Sequence, residues 1–119
     1  MLLLVEDDAI SRTSFAELLR REGHEVIEAS DGAEVIRLLE LWPINLVITD
    51  LVLPNVNGMT LIRRIHERWP KMPVILISGY LSQRAGENIL SRDATFLEKP
   101  VSPSALAIAV KHLLRQTIH

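Results

Sequence analysis

Leu46-Val47-Ile48-Thr49, followed at once by Asp50, decides how this chain is read. Four residues of leucine or β-branched type, with no polar alternation, suit a strand covered on both faces, as in parallel sheets packed between helices. Working outward, Leu2–Val5, Glu25–Ala29, Val74–Ile77 and Thr95–Leu97 are short runs made mostly of β-branched residues or leucine. Between them lie segments of helical period. Phe15, Leu18 and Leu19 share one face of the first, which should end near Gly23. Asp31 and Glu34 form a capping pair for the second, with Val35, Leu38 and Leu39 as its core face. Leu61, Ile62, Ile65 and Trp69 stripe the third, and Pro70 stops it. The fourth, expected over Ser82–Ser91, has a weak apolar pattern of Leu81, Ile89 and Leu90. The fifth opens at Ser102-Pro103 and is striped by Leu106, Ala109, Val110 and Leu113.

Five strand–helix units in a row predict an α/β fold, a doubly wound five-stranded parallel sheet with right-handed crossovers. No linker, repeat or low-complexity stretch interrupts residues 1–119, so a single domain is expected. Hydrophobic residues make up 48% of the chain, enough for a core, and the net charge of −2 gives no general attraction to nucleic acid. There is no cysteine, which excludes disulfides and thiolate metal sites. No apolar run nears the ~20 residues that span a bilayer, so no membrane contact is expected. Met1–Val5 is followed directly by Glu6-Asp7-Asp8 and lacks a basic leader, so it reads as a strand and not a signal peptide. A cytoplasmic location is the expectation.

In such a sheet, ligands bind beyond the carboxyl ends of the strands. Those ends carry Glu6-Asp7-Asp8, Thr49-Asp50, Ser78-Gly79 and Glu98-Lys99-Pro100. Asp7, Asp8 and Asp50 would crowd three carboxylates at one edge, which calls for a compensating hard cation, Mg²⁺ foremost. Lys99 adds a fixed positive charge, and a metal beside a lysine and a hydroxyl suits phosphoryl oxygens. Without cysteine, and with no base beside Ser78, the nucleophile is a carboxylate. Asp50 stands alone at its strand end, whereas Asp7 and Asp8 suit metal binding. Each residue also has a plain reading taken singly. Asp7-Asp8 would be a solvated loop or helix cap, Asp50 and Ser78-Gly79 turns, and Lys99 a surface lysine. The four histidines, at 24, 66, 112 and 119, follow no ligand spacing.

The pieces Val5-Glu6-Asp7-Asp8, Asp31-Gly32, Thr49-Asp50-Leu51-Val52-Leu53-Pro54 with Gly58, Ile77-Ser78-Gly79-Tyr80 and Phe96-Leu97-Glu98-Lys99-Pro100 come in this order over nearly the whole chain. Together they resemble the receiver domain of two-component response regulators. The resemblance implies strand order 2-1-3-4-5. It implies that Asp50 accepts a phosphoryl group from the phosphohistidine of a histidine kinase or phosphotransfer domain, with Mg²⁺. Asp8 resembles the direct metal ligand, Asp7 the ligand acting through water, and Val52 the donor of a backbone carbonyl. Ser78 resembles the switch hydroxyl, Lys99 the phosphate-pairing lysine, and the Lys99-Pro100 bond is cis in the family. Phe96 matches an aromatic switch position, with core packing as the plain alternative. Phosphorylation would shift the fourth helix, fifth strand and fifth helix, and that surface is also the candidate for dimerisation.

Leu51-Val52-Leu53 and Tyr80-Leu81 place apolar residues beside the site, either for local packing or for kinase contact. The segment from Phe96 to Pro103 is similar to receivers attached to hybrid sensor kinases. The first strand begins almost at Met1, as in an excised domain. The resemblance implies a switch that catalyses only its own modification and demodification, not a turnover enzyme. Two other classes remain, a binding module with an inert site and a turnover phosphatase or phosphotransferase with an aspartyl nucleophile. The latter usually needs an added cap or a second acid–base carboxylate, and none is placed for it.

Overall fold

The computed structural model describes residues 1–79 and 94–117. Five parallel strands are β1 (Leu2–Val5), β2 (Val26–Ala29), β3 (Leu46–Asp50), β4 (Val74–Ser78) and β5 (Thr95–Glu98). They lie in the order β2-β1-β3-β4-β5. The expected order and parallel architecture are therefore present. Helices α1 (Ala9–Arg21), α2 (Val35–Leu41) and α3 (Gly58–Arg68) and a C-terminal helix (Pro103–Thr117) connect or follow the strands. The expected fourth helix, with Tyr80 and Leu81, lies outside the described residues.

Alternation along the strands builds two cores. Leu3, Val5, Val47, Val74 and Leu76 face a layer formed by α2 and α3, with Val35, Leu39, Leu61, Ile62 and Ile65. Leu2, Leu4, Leu46, Ile48, Ile75 and Ile77 face the other layer, with Ala16 and Leu19 from α1 and Leu106 and Val110 from the C-terminal helix. Every residue of β1, β3 and β4 is buried, which is why these strands read as continuous apolar runs.

The helix ends follow their sequence signals, with one difference. Gly23 adopts φ +95° after α1, a left-handed conformation that costs glycine little. Ser102 caps the C-terminal helix, its Oγ accepting from Ala105 N–H at 3.1 Å. Asp31 caps as expected, Oδ1 accepting from Ala33 N–H at 2.9 Å, but the first turn is a 3₁₀ helix over Gly32–Glu34. The α-helix starts only at Val35, and Glu34 returns no side-chain cap bond to it. Asp31 Oδ2 is instead taken by Asn55 Nδ2 from the loop after β3.

Candidate functional site

Asp50 ends β3 and is only 4% exposed. Burial of the whole strand carries its backbone to the carboxyl edge and fixes the direction of its side chain. Its two oxygens have separate partners. Oδ1 accepts from Val52 N–H at 3.1 Å, and Oδ2 accepts from Lys99 Nζ at 2.5 Å. Lys99 follows β5, where its N–H donates to the Ser78 carbonyl at 2.7 Å, so β4 presents the lysine to β3. The Lys99-Pro100 bond is cis, as expected. The Lys99 side chain is 46% exposed, so it can follow an incoming anion.

The loop after β3 curls back onto the strand. Gly58 N–H donates to the Leu51 carbonyl at 2.7 Å. A Cβ at Gly58 would meet Leu51 Cα at 2.7 Å and the Asp50 and Leu51 carbonyl oxygens at 2.9 Å. Only glycine permits this approach. Asn57 then caps α3, its Oδ1 accepting from Met59 N–H at 2.8 Å. Leu51 and Leu53 are buried, so they serve local packing, whereas Val52 is 73% exposed.

The acidic loop after β1 is arranged differently from the sequence expectation. Carboxylate oxygens of Glu6, Asp7 and Asp50 all lie within 4.8 Å of one another. Asp8, expected as the direct metal ligand, caps α1 instead. Its Oδ2 accepts from Ser11 N–H at 3.1 Å and Ser11 Oγ at 2.6 Å. These bonds hold its carboxyl below the ordinary carboxylate value. The reason is that α1 begins at Ala9, which makes Asp8 the N-cap and turns its side chain toward the helix. Glu6 was not among the expected ligands. It is 4% exposed and accepts from Asp8 N–H at 3.1 Å. Burial, joined by the charge of Asp50, pushes its carboxyl up to about 7, against the opposing pull of the Asp8 N–H. Lys99 titrates above its ordinary value: burial opposes its charge, but its bond to Asp50 and the charges of Asp50, Glu6 and Asp7 outweigh that.

The remaining expected residues are placed more loosely. Ser78 ends β4, 1% exposed, with its Oγ donating to the Gly79 carbonyl at 2.9 Å. Phe96 is partly buried against the core layer of α2 and α3. Beside Lys99, a cleft of about 460 Å³ is lined by Glu6, Ser11, Phe15, Ile77, Pro100 and Val101. Among the described residues, no helix is long and apolar enough to cross a membrane.

Comparison with known proteins agrees with this edge. Residues 2–111 match the response regulator receiver domain. Aerobic respiration control protein ArcA of Escherichia coli is 33% identical over 99% of this chain and 50% of its own length. Sensor kinase CckA of Brucella abortus is 35% identical over 96% of this chain and 12% of its own length. This chain thus spans half of one relative and a small part of the other. A crystal structure of a response regulator receiver domain protein from Clostridium thermocellum superposes with a TM-score of 0.91 at 29% identity, covering 98% of this chain and 94% of that one. With carboxylates, a lysine and a buried hydroxyl on the strand ends of a 2-1-3-4-5 sheet, the chain belongs to the response regulator receiver family of two-component signalling.

Proposed function

We propose that Asp50 is the phospho-acceptor of this receiver and that a histidine kinase or phosphotransfer domain is its donor. The observation that carries this reading is the Lys99–Asp50 contact beside the Glu6–Asp7–Asp50 cluster. A buried carboxylate facing a half-exposed lysine at a sheet edge is poised to receive an anion. The donor set fits a hard divalent cation: three carboxylates lie together, with carboxylate oxygens within 4.8 Å of one another. Asp7 and Asp50 would hold Mg²⁺ with the Val52 carbonyl, while Glu6 lies close behind. The cation, when bound, supplies positive charge for the phosphoryl oxygens.

The chain's own residues perform the rest. One Asp50 oxygen attacks phosphorus as the P–N bond of phosphohistidine breaks. The imidazole nitrogen leaves with the bonding pair, and an acyl phosphate forms. Val52 N–H orients the carboxylate through Oδ1. Lys99 exchanges its bond to Oδ2 for one to a phosphoryl oxygen, which keeps the growing charge compensated. Ser78 gives up the Gly79 carbonyl and turns its hydroxyl to the phosphoryl group. Because Ser78 and Lys99 are joined through the backbone of β4 and β5, that turn reaches β5 and Phe96. Water then hydrolyses the acyl phosphate and restores Asp50.

The test is phosphorylation by acetyl phosphate with Mg²⁺, read by intact mass. Wild type gains one phosphoryl group and Asp50→Asn gains none. Labelling of Asp50→Asn at the wild-type level overturns the assignment. Lys99→Ala is expected to keep the fold and lose the response.

A further inference from the structure

Arg12 reaches the acidic edge without being part of it. It lies on α1, and its NH1 donates to the carbonyl of Glu6 at 2.8 Å. Its Nε lies 3.5 Å from Oε1 of Glu28, on the edge strand β2. The other oxygen of Glu28 pairs with Arg20 NH1 at 3.1 Å, and Arg20 NH2 donates to the Val26 carbonyl at 2.9 Å. One carboxylate on β2 therefore holds two arginines of α1, and one of these arginines grips the first residue of the acidic loop. Glu6 N–H meanwhile donates to the Ala29 carbonyl at 2.9 Å. Glu6 is thus fixed on both sides of its peptide frame, by β2 and by Arg12. The Arg12 side chain is only 21% exposed, so its place is set by packing as well as charge.

Among the described residues Asp7 has no such tether of its own, and it is exposed. Its position follows from Glu6 before it and from the capped Asp8 after it. We infer that Arg12 is a positioning residue for the divalent cation: by holding the Glu6 carbonyl it keeps the Glu6 and Asp7 carboxylates over Asp50, and Glu28 holds Arg12 in place to do so. This rests on the phospho-acceptor reading, since it concerns the cation of that site. Outer partners that orient ligands commonly cost about 10–100-fold in metal affinity when removed.

The sign of the effect separates positioning from simple charge. Arg12 is a cation near a cation site, so if only its charge mattered, its removal would tighten Mg²⁺ binding. Positioning predicts the reverse. Mg²⁺ is titrated into the full chain by calorimetry, with thermal melts to fix the folded fraction of each variant. Arg12→Ala is expected to bind Mg²⁺ about tenfold more weakly per folded molecule. Arg12→Lys, which keeps a donor for the Glu6 carbonyl, should recover most of that loss. Glu28→Gln, which leaves Arg12 in place but unheld, should weaken binding about threefold, a partial form of the same loss. Unchanged or tighter binding by Arg12→Ala overturns the inference, and so does an Arg12→Lys no better than Arg12→Ala. A wild type that takes up no Mg²⁺ overturns this inference and the cation part of the proposed function together. A wild type that binds it while Arg12→Ala binds it equally overturns this inference alone.

Discussion

The two loops that meet at Asp50 reach their shapes by different means. The loop after β1 is three residues, Glu6 to Asp8, and lies between a buried strand and a helix. Its side chains carry its structure: Asp8 caps α1, Glu6 accepts from Asp8 N–H, and Arg12 holds the Glu6 carbonyl. The loop after β3 runs from Leu51 to Asn57 and is shaped by close packing. Gly58 lies against its backbone, Leu51 and Leu53 are buried, and a Cβ at Gly32, in the 3₁₀ turn before α2, would meet Val56 Cβ at 3.1 Å and Leu53 Cδ1 at 3.2 Å. A short loop can be set by polar contacts because few torsions need fixing. A longer one needs buried surface and a glycine contact to offset its entropy.

That contrast can be broken. The largest effect is expected at Gly58. Gly58→Val puts a side chain into the Leu51 and Asp50 backbone, where no flexible neighbour can yield. It should cost roughly 1–3 kcal/mol of stability, read as a lower urea midpoint, and it should also disturb Asp50. If Gly58→Val unfolds at the wild-type midpoint, packing does not shape the long loop.

Next comes the α3 cap. Asn57→Ala removes the acceptor for Met59 N–H and should cost about 1 kcal/mol. Asn57→Asp should recover nearly all of it, since a carboxylate caps equally well.

The smallest and sharpest test is in the short loop, where two nearby carboxyls respond oppositely to pH. Glu6 has its value raised from 4.5 to about 7, so the fold favours its neutral form. That contribution is complete below pH 4.5 and is lost as pH rises through 7. Asp8 has its value lowered from 3.8, so its contribution is present above that pH and is lost as pH falls through its folded value. Glu6→Gln should therefore flatten the decline in urea midpoint between pH 5 and pH 7.5, while Asp8→Asn should alter only the acid side. Equal slopes for wild type and Glu6→Gln would show that the short loop does not press on Glu6.

Much of this was legible in the residues. Strands buried on both faces write themselves as unbroken apolar runs, so β1, β3 and β4 were plain. β3, β4 and β5 each run one residue past their apolar reading, to Asp50, Ser78 and Glu98, because the polar residue that closes each run still pairs with the neighbouring strand. Asp50, Ser78 and Lys99 were placed by their positions at strand ends. The acidic doublet was less legible. Three acids in a row, Glu6-Asp7-Asp8, offer two possible pairs, and the choice depends on where the next helix starts. The signal was present in Asp8 and Ser11, three apart at the head of a helical stripe, which is cap spacing. Once Asp8 is taken by α1, Glu6 and Asp7 are the acids left for the edge. Arg12 gave no signal of its own, because a carbonyl contact six residues back and a carboxylate on another strand exist only after folding.

Lys99 is the positive charge paired with Asp50 at an edge that holds three carboxylates. Such a site is short of cations before any reaction occurs. Adding a phosphoryl group deepens the shortage, and adding a divalent ion relieves it. The two events are therefore thermodynamic partners. Whatever factor the ion contributes to the stability of the phosphorylated form, phosphorylation must return to the affinity for the ion, and a single cycle of four equilibria measures both.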